Sequence, residues 1–178
     1  MDNFKATQLH TEILKAISEM GFQTPTPIQA KTIPHLMSSN QDLIATAQTG
    51  TGKTAAFGLP SIHLTNIKYN DTQTLVLCPT RELCIQIAKD LAKYSKYLNG
   101  INILAVYGGS DIRAQIKSLN KGAHIVIGTP GRTKDLIKRK KLNIGHIARI
   151  ILDEADEMLT MGFKEDLEMI LSHTPKEK

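Results

Sequence analysis

One recurring unit constrains this chain more than any other feature. A short apolar run of four or five residues is followed by a polar sequence carrying glycine, proline or acid. The runs are Leu43–Ala47, Thr74–Cys78, Ile103–Tyr107, His124–Gly128 and Arg149–Leu152. They are too short for amphipathic helices and rich in Ile, Val and Leu, as strands buried on both faces are. Stretches with helical spacing alternate with them: Leu83, Ile87, Leu91, Tyr94 and Leu98 form one stripe, and Ile112, Ile116 and Leu119 another. Two helices precede the first run. One carries Leu9, Ile13, Leu14 and Ile17; the next opens at Thr26-Pro27, a cap residue followed by proline at the first helical position. Two short helical patterns, Glu154–Leu159 and Lys164–Leu171, follow the last run. The pattern predicts an α/β fold, a mostly parallel sheet flanked by helices on both faces.

The small, polar and flexible sequences gather at the carboxyl ends of the runs. Gln-Thr-Gly-Thr-Gly-Lys-Thr follows the first, Pro-Thr-Arg-Glu the second, Gly-Gly-Ser the third, Thr-Pro-Gly-Arg the fourth and Asp-Glu-Ala-Asp the fifth. In open parallel sheets that edge binds ligands. Ala47–Thr54 has the context of a phosphate loop, between a strand and a helix. Gly50 and Gly52 let backbone N–H groups converge on phosphate oxygens, and the helix adds its positive N-terminal dipole. Lys53 would reach the β- and γ-phosphates, and Thr54 would ligate Mg²⁺. A plain glycine-rich turn ahead of a helix is the alternative. Asp153 and Glu154 weigh against it, because a carboxylate at a strand end can hold Mg²⁺ through water while its neighbour activates an attacking water. An acidic first helical turn explains acids in general, but not their place after a second buried strand.

Composition narrows the class. Among 178 residues, 41% are hydrophobic and the net charge is +5 from 22 basic and 17 acidic side chains, which excludes a disordered, collagenous or disulfide-stapled chain. No apolar stretch approaches the roughly 20 residues of a membrane span. Met1–His10 has no apolar signal core, and two free cysteines, Cys78 and Cys84, fit a reducing cytoplasm. Both cysteines are expected in the core, and Met158 and Met161 as packing beside the acidic motif. The basic run Lys138–Lys141 reads as a solvated helix end, and the six scattered histidines have no zinc spacing.

Taken together, these motifs resemble the first RecA-like domain of a DEAD-box RNA helicase, over nearly the whole chain and in order. Asp153-Glu154-Ala155-Asp156 resembles the tetrad that names the family. Gly21–Gln29, with Phe4 upstream, resembles the Q motif, so residues 1–30 form a Q-motif region within an ATP-binding domain spanning 1–178. Ala47–Thr54 resembles motif I, Pro79–Leu83 motif Ia, Gly108-Gly109 the GG element and Thr129–Arg132 motif Ib. The resemblance implies a RecA-like P-loop NTPase. ATP would be held by Phe4, Phe22, Gln29, Gln48, Thr49, Gly50, Thr51, Gly52, Lys53 and Thr54, with Gln29 reading adenine. Mg²⁺ would be held by Thr54 and Asp153, largely through water. Glu154, Asp153 and Lys53 would carry catalysis, and Asp156 would couple nucleotide state to the motor. Thr80, Arg81, Gly109, Thr129 and Arg132 would contact the RNA backbone. With no Trp and 4% aromatics, sequence-independent backbone binding suits the composition better than base stacking.

The sequence contains no Ser-Ala-Thr, the mark of motif III in that family, and no second RecA-like domain, which there supplies arginine fingers. The expectation is a monomeric, cytoplasmic piece of a longer ATP-dependent RNA helicase, binding ATP and RNA with little turnover alone. By the resemblance, the motif III strand lies between the phosphate-loop strand and the Asp153 strand. Two other readings are a binding module only, and a P-loop NTPase of another class such as a kinase. The Q motif and Thr-Pro-Gly-Arg weigh against the last.

Overall fold

The computed structural model describes residues 3–175. The chain divides into two compact units: the residues up to Thr65 together with Lys89–Gly100, and Asn66–Ala88 together with Ile101 onward.

The first unit is helical. A 3₁₀ turn, Phe4–Thr7, is capped by Asn3, whose Oδ1 accepts from the Ala6 N–H at 3.2 Å. Helix α1 (Thr11–Glu19) buries Ile13, Ala16 and Ile17, so the spacing read from the sequence is the packed stripe. Helix α2 (Pro27–Ser38) starts where Thr26-Pro27 predicts, with Thr26 as N-cap, and it packs on α3 (Lys53–His63). Helix α4 (Arg81–Tyr94) gives its last turns to this unit, burying Leu91 and Tyr94.

The second unit holds the sheet. Its strands β1 (Thr74–Leu77), β2 (Ile103–Val106), β3 (Ile125–Gly128) and β4 (Arg149–Leu152) lie in the order β2-β3-β1-β4, all parallel. Thr74 stands opposite both Ile125 and Arg149, which makes β1 an inner strand. Parallel neighbours need crossovers, and right-handed crossovers decide which face each helix covers. The path from β1 to β2 runs one way along the sheet. The paths from β2 to β3, through α5 (Ile112–Leu119), and from β3 to β4, through α6 (Pro130–Lys138), run the other way. Opposite directions with one handedness put α4 on one face and α5 and α6 on the other.

The packing agrees. Leu75, Leu77, Val106 and Val126 share a core with Leu136 and Ile137 of α6, Met158 of α7 (Ala155–Thr160), and Leu167 and Ile170 of α8 (Lys164–Ser172). Cys78 follows Val76 by two positions and so shares the opposite face, where its sulfur lies 2.9 Å from that of Cys84 in α4. Residues of β1 and β3 are buried on both faces, as the apolar runs predict.

The first apolar run departs from expectation. Leu43–Ala47 forms no strand; Leu43 is 41% and Ile44 95% exposed. A buried strand needs a ladder partner for its N–H and C=O groups. None of the four strands pairs with this segment. The resemblance sets it beside a Ser-Ala-Thr strand that the sequence does not contain.

Candidate functional site

In the first unit, the segment after Ala47 turns through two glycines in the left-handed region, Gly50 at φ +82° and Gly52 at φ +88°. The Thr51 hydroxyl donates to the Gln48 carbonyl at 2.6 Å and closes the turn. Gly52 is the N-cap of α3, and a Cβ there would stand 2.3 Å from Gln29 Nε2. Backbone sign and space both demand glycine. Gln29, 3% exposed, is the strut behind this loop: its Oε1 accepts from the Thr26 N–H at 3.0 Å and its Nε2 donates to the Gly52 carbonyl at 3.1 Å. One Nε2 hydrogen and one Oε1 lone pair stay unused. The buried Thr26 Oγ1, by the same loop, has no hydrogen-bond partner. The first N–H groups of α3 have no intrahelical acceptor, so the helix start offers backbone donors that suit an anion. Thr49 stands in the same turn, and Lys53 and Thr54, both half-buried, open the helix. A nucleotide phosphate chain fits this donor set. Phe4, 4% exposed, packs its ring 6.1 Å from that of Phe22, which in turn lies 6.0 Å from Tyr94.

In the second unit, β1 and β3 are neighbours whose connections leave to opposite faces, which opens a crevice at their carboxyl ends. The loops there carry the residues read from the sequence. Thr80 caps α4, its Oγ1 accepting from the Leu83 N–H at 3.2 Å. Thr129, in extended backbone, precedes Pro130 and donates its N–H to the Val106 carbonyl at 3.1 Å. The Arg81 guanidinium lies 5.0 Å from the centre of the Tyr107 ring, and Gly109, at φ +75°, leaves room beside it. Arg132 reaches back across the same rim, Nη1 to Gln115 Oε1 at 2.8 Å and Nη2 to the Ser110 carbonyl at 3.2 Å.

The acids follow β4. Asp153 donates its N–H to the Leu77 carbonyl at 2.9 Å, which continues the ladder by one residue. Glu154 caps α7 from the left-handed region, at φ +55°. Asp156 is exposed in the first turn of α7. The Cys78 thiol is held well above its ordinary range by its hydrogen bond to Cys84, then by burial and the charges of Cys84, Asp153 and Glu154. Among the described residues, no three His, Cys, Asp or Glu side chains cluster to hold a metal ion. Thr54 belongs to the first unit and Asp153 to the second.

Against this geometry, the model of the DEAD/DEAH box helicase family matches residues 26–178. The chain belongs to that family. It is 51% identical, over its whole length, to a DEAD-box ATP-dependent RNA helicase CshA of Geobacillus kaustophilus, of which it covers 38%. It is 53% identical to an ATP-dependent RNA helicase CshA of Listeria monocytogenes, covering 34% of it. A crystal structure of a DEAD box protein from Methanococcus jannaschii superposes on all of the chain with a TM-score of 0.95 at 45% identity, over 48% of that protein. The chain thus spans about a third of the length of the curated relatives it matches. The fold is that of a RecA-like domain, and the phosphate loop and Asp-Glu-Ala-Asp tetrad stand in a helicase-family frame.

Several features escaped the sequence reading. Met158 is fully buried, but Met161 is 47% exposed and does not pack as expected. Gln115 is the buried residue of α5, and Lys134 pairs with Asp166 at 2.5 Å to join α6 to α8. The basic run 138–141 is exposed at the end of α6, as expected, and Arg139 there pairs with Asp135 at 2.7 Å.

Proposed function

We propose that residues 1–178 are the ATP-binding domain, with a Q-motif region at 1–30, of an ATP-dependent RNA helicase. Gln48, Thr49, Gly50, Thr51, Gly52, Lys53 and Thr54 cradle the phosphates, and Gln29 reads adenine with Phe4 and Phe22 behind it. Mg²⁺, when bound, neutralises developing phosphate charge; Thr54 and Asp153 are its protein-side holders, mostly through water. Asp153 and Lys53 steady the reacting phosphates, and Glu154 takes the proton of the attacking water. Asp156 couples that chemistry to the rest of the motor, and Thr80, Arg81, Gly109, Thr129 and Arg132 hold the RNA backbone.

The observation that carries this reading is the Gln29 amide. It spans Thr26 and Gly52 and retains one donor and one acceptor, the pair that adenine's N7 and N6 amino group require. The helicase reading extends to a second RecA-like domain in the full protein, to sequence-independent RNA, and to a monomer working in the cytoplasm. No helix among the described residues is long and apolar enough to cross a membrane. The test is calorimetric binding of ATP, ADP and GTP to this chain. Adenine nucleotides should bind clearly more tightly; equal affinities for all three would remove the adenine assignment.

A further inference from the structure

Helix α5 turns an amide inward. Its apolar residues Ile112, Ile116 and Leu119 are only partly buried, while Gln115 is 7% exposed. A buried amide is tolerated when its groups are paired. Gln115 Nε2 donates to the Tyr107 carbonyl at 3.1 Å and to Ser110 Oγ at 2.6 Å, and Oε1 accepts from Arg132 at 2.8 Å. The loop Tyr107–Ser110 is therefore a hub. Its ring carries Arg81, its Ser110 carbonyl and Gln115 carry Arg132. Every one of these holders is neutral. Elsewhere Lys93, Lys96, Arg113, Lys134, Arg139 and Lys164 each face a carboxylate within 4 Å. Among the described residues of their unit, no carboxylate pairs with Arg81 or Arg132.

We propose that Gln115 and Tyr107 are positioning residues that fix Arg132 and Arg81 at the rim while leaving both positive charges uncompensated for nucleic-acid phosphates. An arginine that is merely structural gains most from a carboxylate, which satisfies its fork and cancels its charge. An arginine kept for a polyanion must be held without being cancelled, and a buried amide, a carbonyl and an aromatic face do that. Arg132 spends one hydrogen from each Nη on its holders, and its remaining N–H groups stay available on a guanidinium that cannot swing away.

This inference rests on the RNA reading above, and the experiment separates the two. Binding of a labelled oligouridylate to the full chain is followed by fluorescence anisotropy across a salt series, with urea midpoints to confirm folding. Gln115→Glu keeps an acceptor for Arg132 but adds a negative charge. It should leave the midpoint near wild type, weaken binding roughly tenfold, the scale of one charged contact, and flatten the log–log salt slope by about 0.7, one phosphate contact on a single strand. Tyr107→Leu should also weaken binding, and Tyr107→Phe, which keeps the ring, should restore it relative to Leu. Wild-type affinity and slope in a folded Gln115→Glu protein would overturn the inference. If that variant does not fold, equal binding by the Leu and Phe variants at 107 would overturn it. A wild-type chain that fails to bind the oligonucleotide at all would instead remove the RNA reading.

Discussion

Glu154 sits in backbone that side chains normally avoid, at φ +55°. The left-handed region costs a residue with a Cβ about 1–2 kcal/mol, and such strain gathers at functional positions. In a full-length helicase, Glu154→Gln keeps that backbone and the hydrogen-bonding shape but removes the proposed base. ATP binding should persist and hydrolysis should nearly vanish in a steady-state assay; turnover at the wild-type rate would place the base elsewhere. Gln29→Ala removes the strut under Gly52 and, with it, the proposed adenine reader. ATP affinity should fall by about 1–2 kcal/mol, the scale of one or two lost hydrogen bonds, and the preference for ATP over GTP should shrink. An unchanged preference would show that Gln29 supports the loop without reading the base. At this scale the sequence was legible where chemistry is local. Gly-Lys-Thr and Asp-Glu stand where their spacing puts them, at the start of α3 and directly after β4. Gln115 was not legible, because its partners come from β2's loop and from α6. Its one trace is a polar residue on the apolar stripe of Ile112, Ile116 and Leu119.

The ends of β1 and β3 hold groups that report on the elements themselves. His124, 1% exposed, accepts the Asn102 N–H on Nδ1 at 2.9 Å. Burial holds its basicity below the ordinary value, and the Tyr69 backbone offsets only part of that. His63 is shifted the same way, by burial and then by His10. The folded chain therefore binds fewer protons than the unfolded one as pH falls. The stability these rings contribute is complete above the unfolded histidine value of about 6.5 and is lost as pH drops through the lowered folded values. Urea midpoints should decline from pH 7.5 to 5.5, and His124→Gln should flatten the decline. The sulfurs of Cys78 and Cys84 report on the β1–α4 junction. Both are buried and Cys78 resists ionisation, so native protein should alkylate with iodoacetamide far more slowly than urea-unfolded protein. Comparable native and unfolded rates would mean that the junction opens readily. All four strands were legible from their apolar runs, with boundaries within a residue. A fifth run, Leu43–Ala47, was read as a strand and forms none, because a strand is a property of a pair: apolar residues suit it for burial but do not supply a ladder partner.

Over the whole molecule, the proposed RNA binding would be set by charge. Thr80, Gly109 and Thr129 bring polar and backbone groups to the rim, while Arg81 and Arg132 bring its two uncompensated charges. A salt titration of single-stranded RNA binding should therefore give a log–log slope of only about −1.4, from roughly −0.7 per contact. A much steeper slope would bring in the exposed 138–141 run.

The inner strand β1 has both its ladder partners far downstream, Thr74 waiting for Ile125 and then for Arg149. On a ribosome adding about 5–20 residues per second, β1 is synthesised roughly 3–10 s before β3 exists. During that time Leu75, Val76 and Leu77 have no sheet to enter. The order of the strands thus fixes an interval of unprotected apolar chain at every synthesis. It also requires long crossovers to close before any ladder forms, which makes folding slow for a domain of this size. The arrangement that gathers four loops at one rim is the same one that makes a newborn chain a client for whatever shields nascent polypeptides.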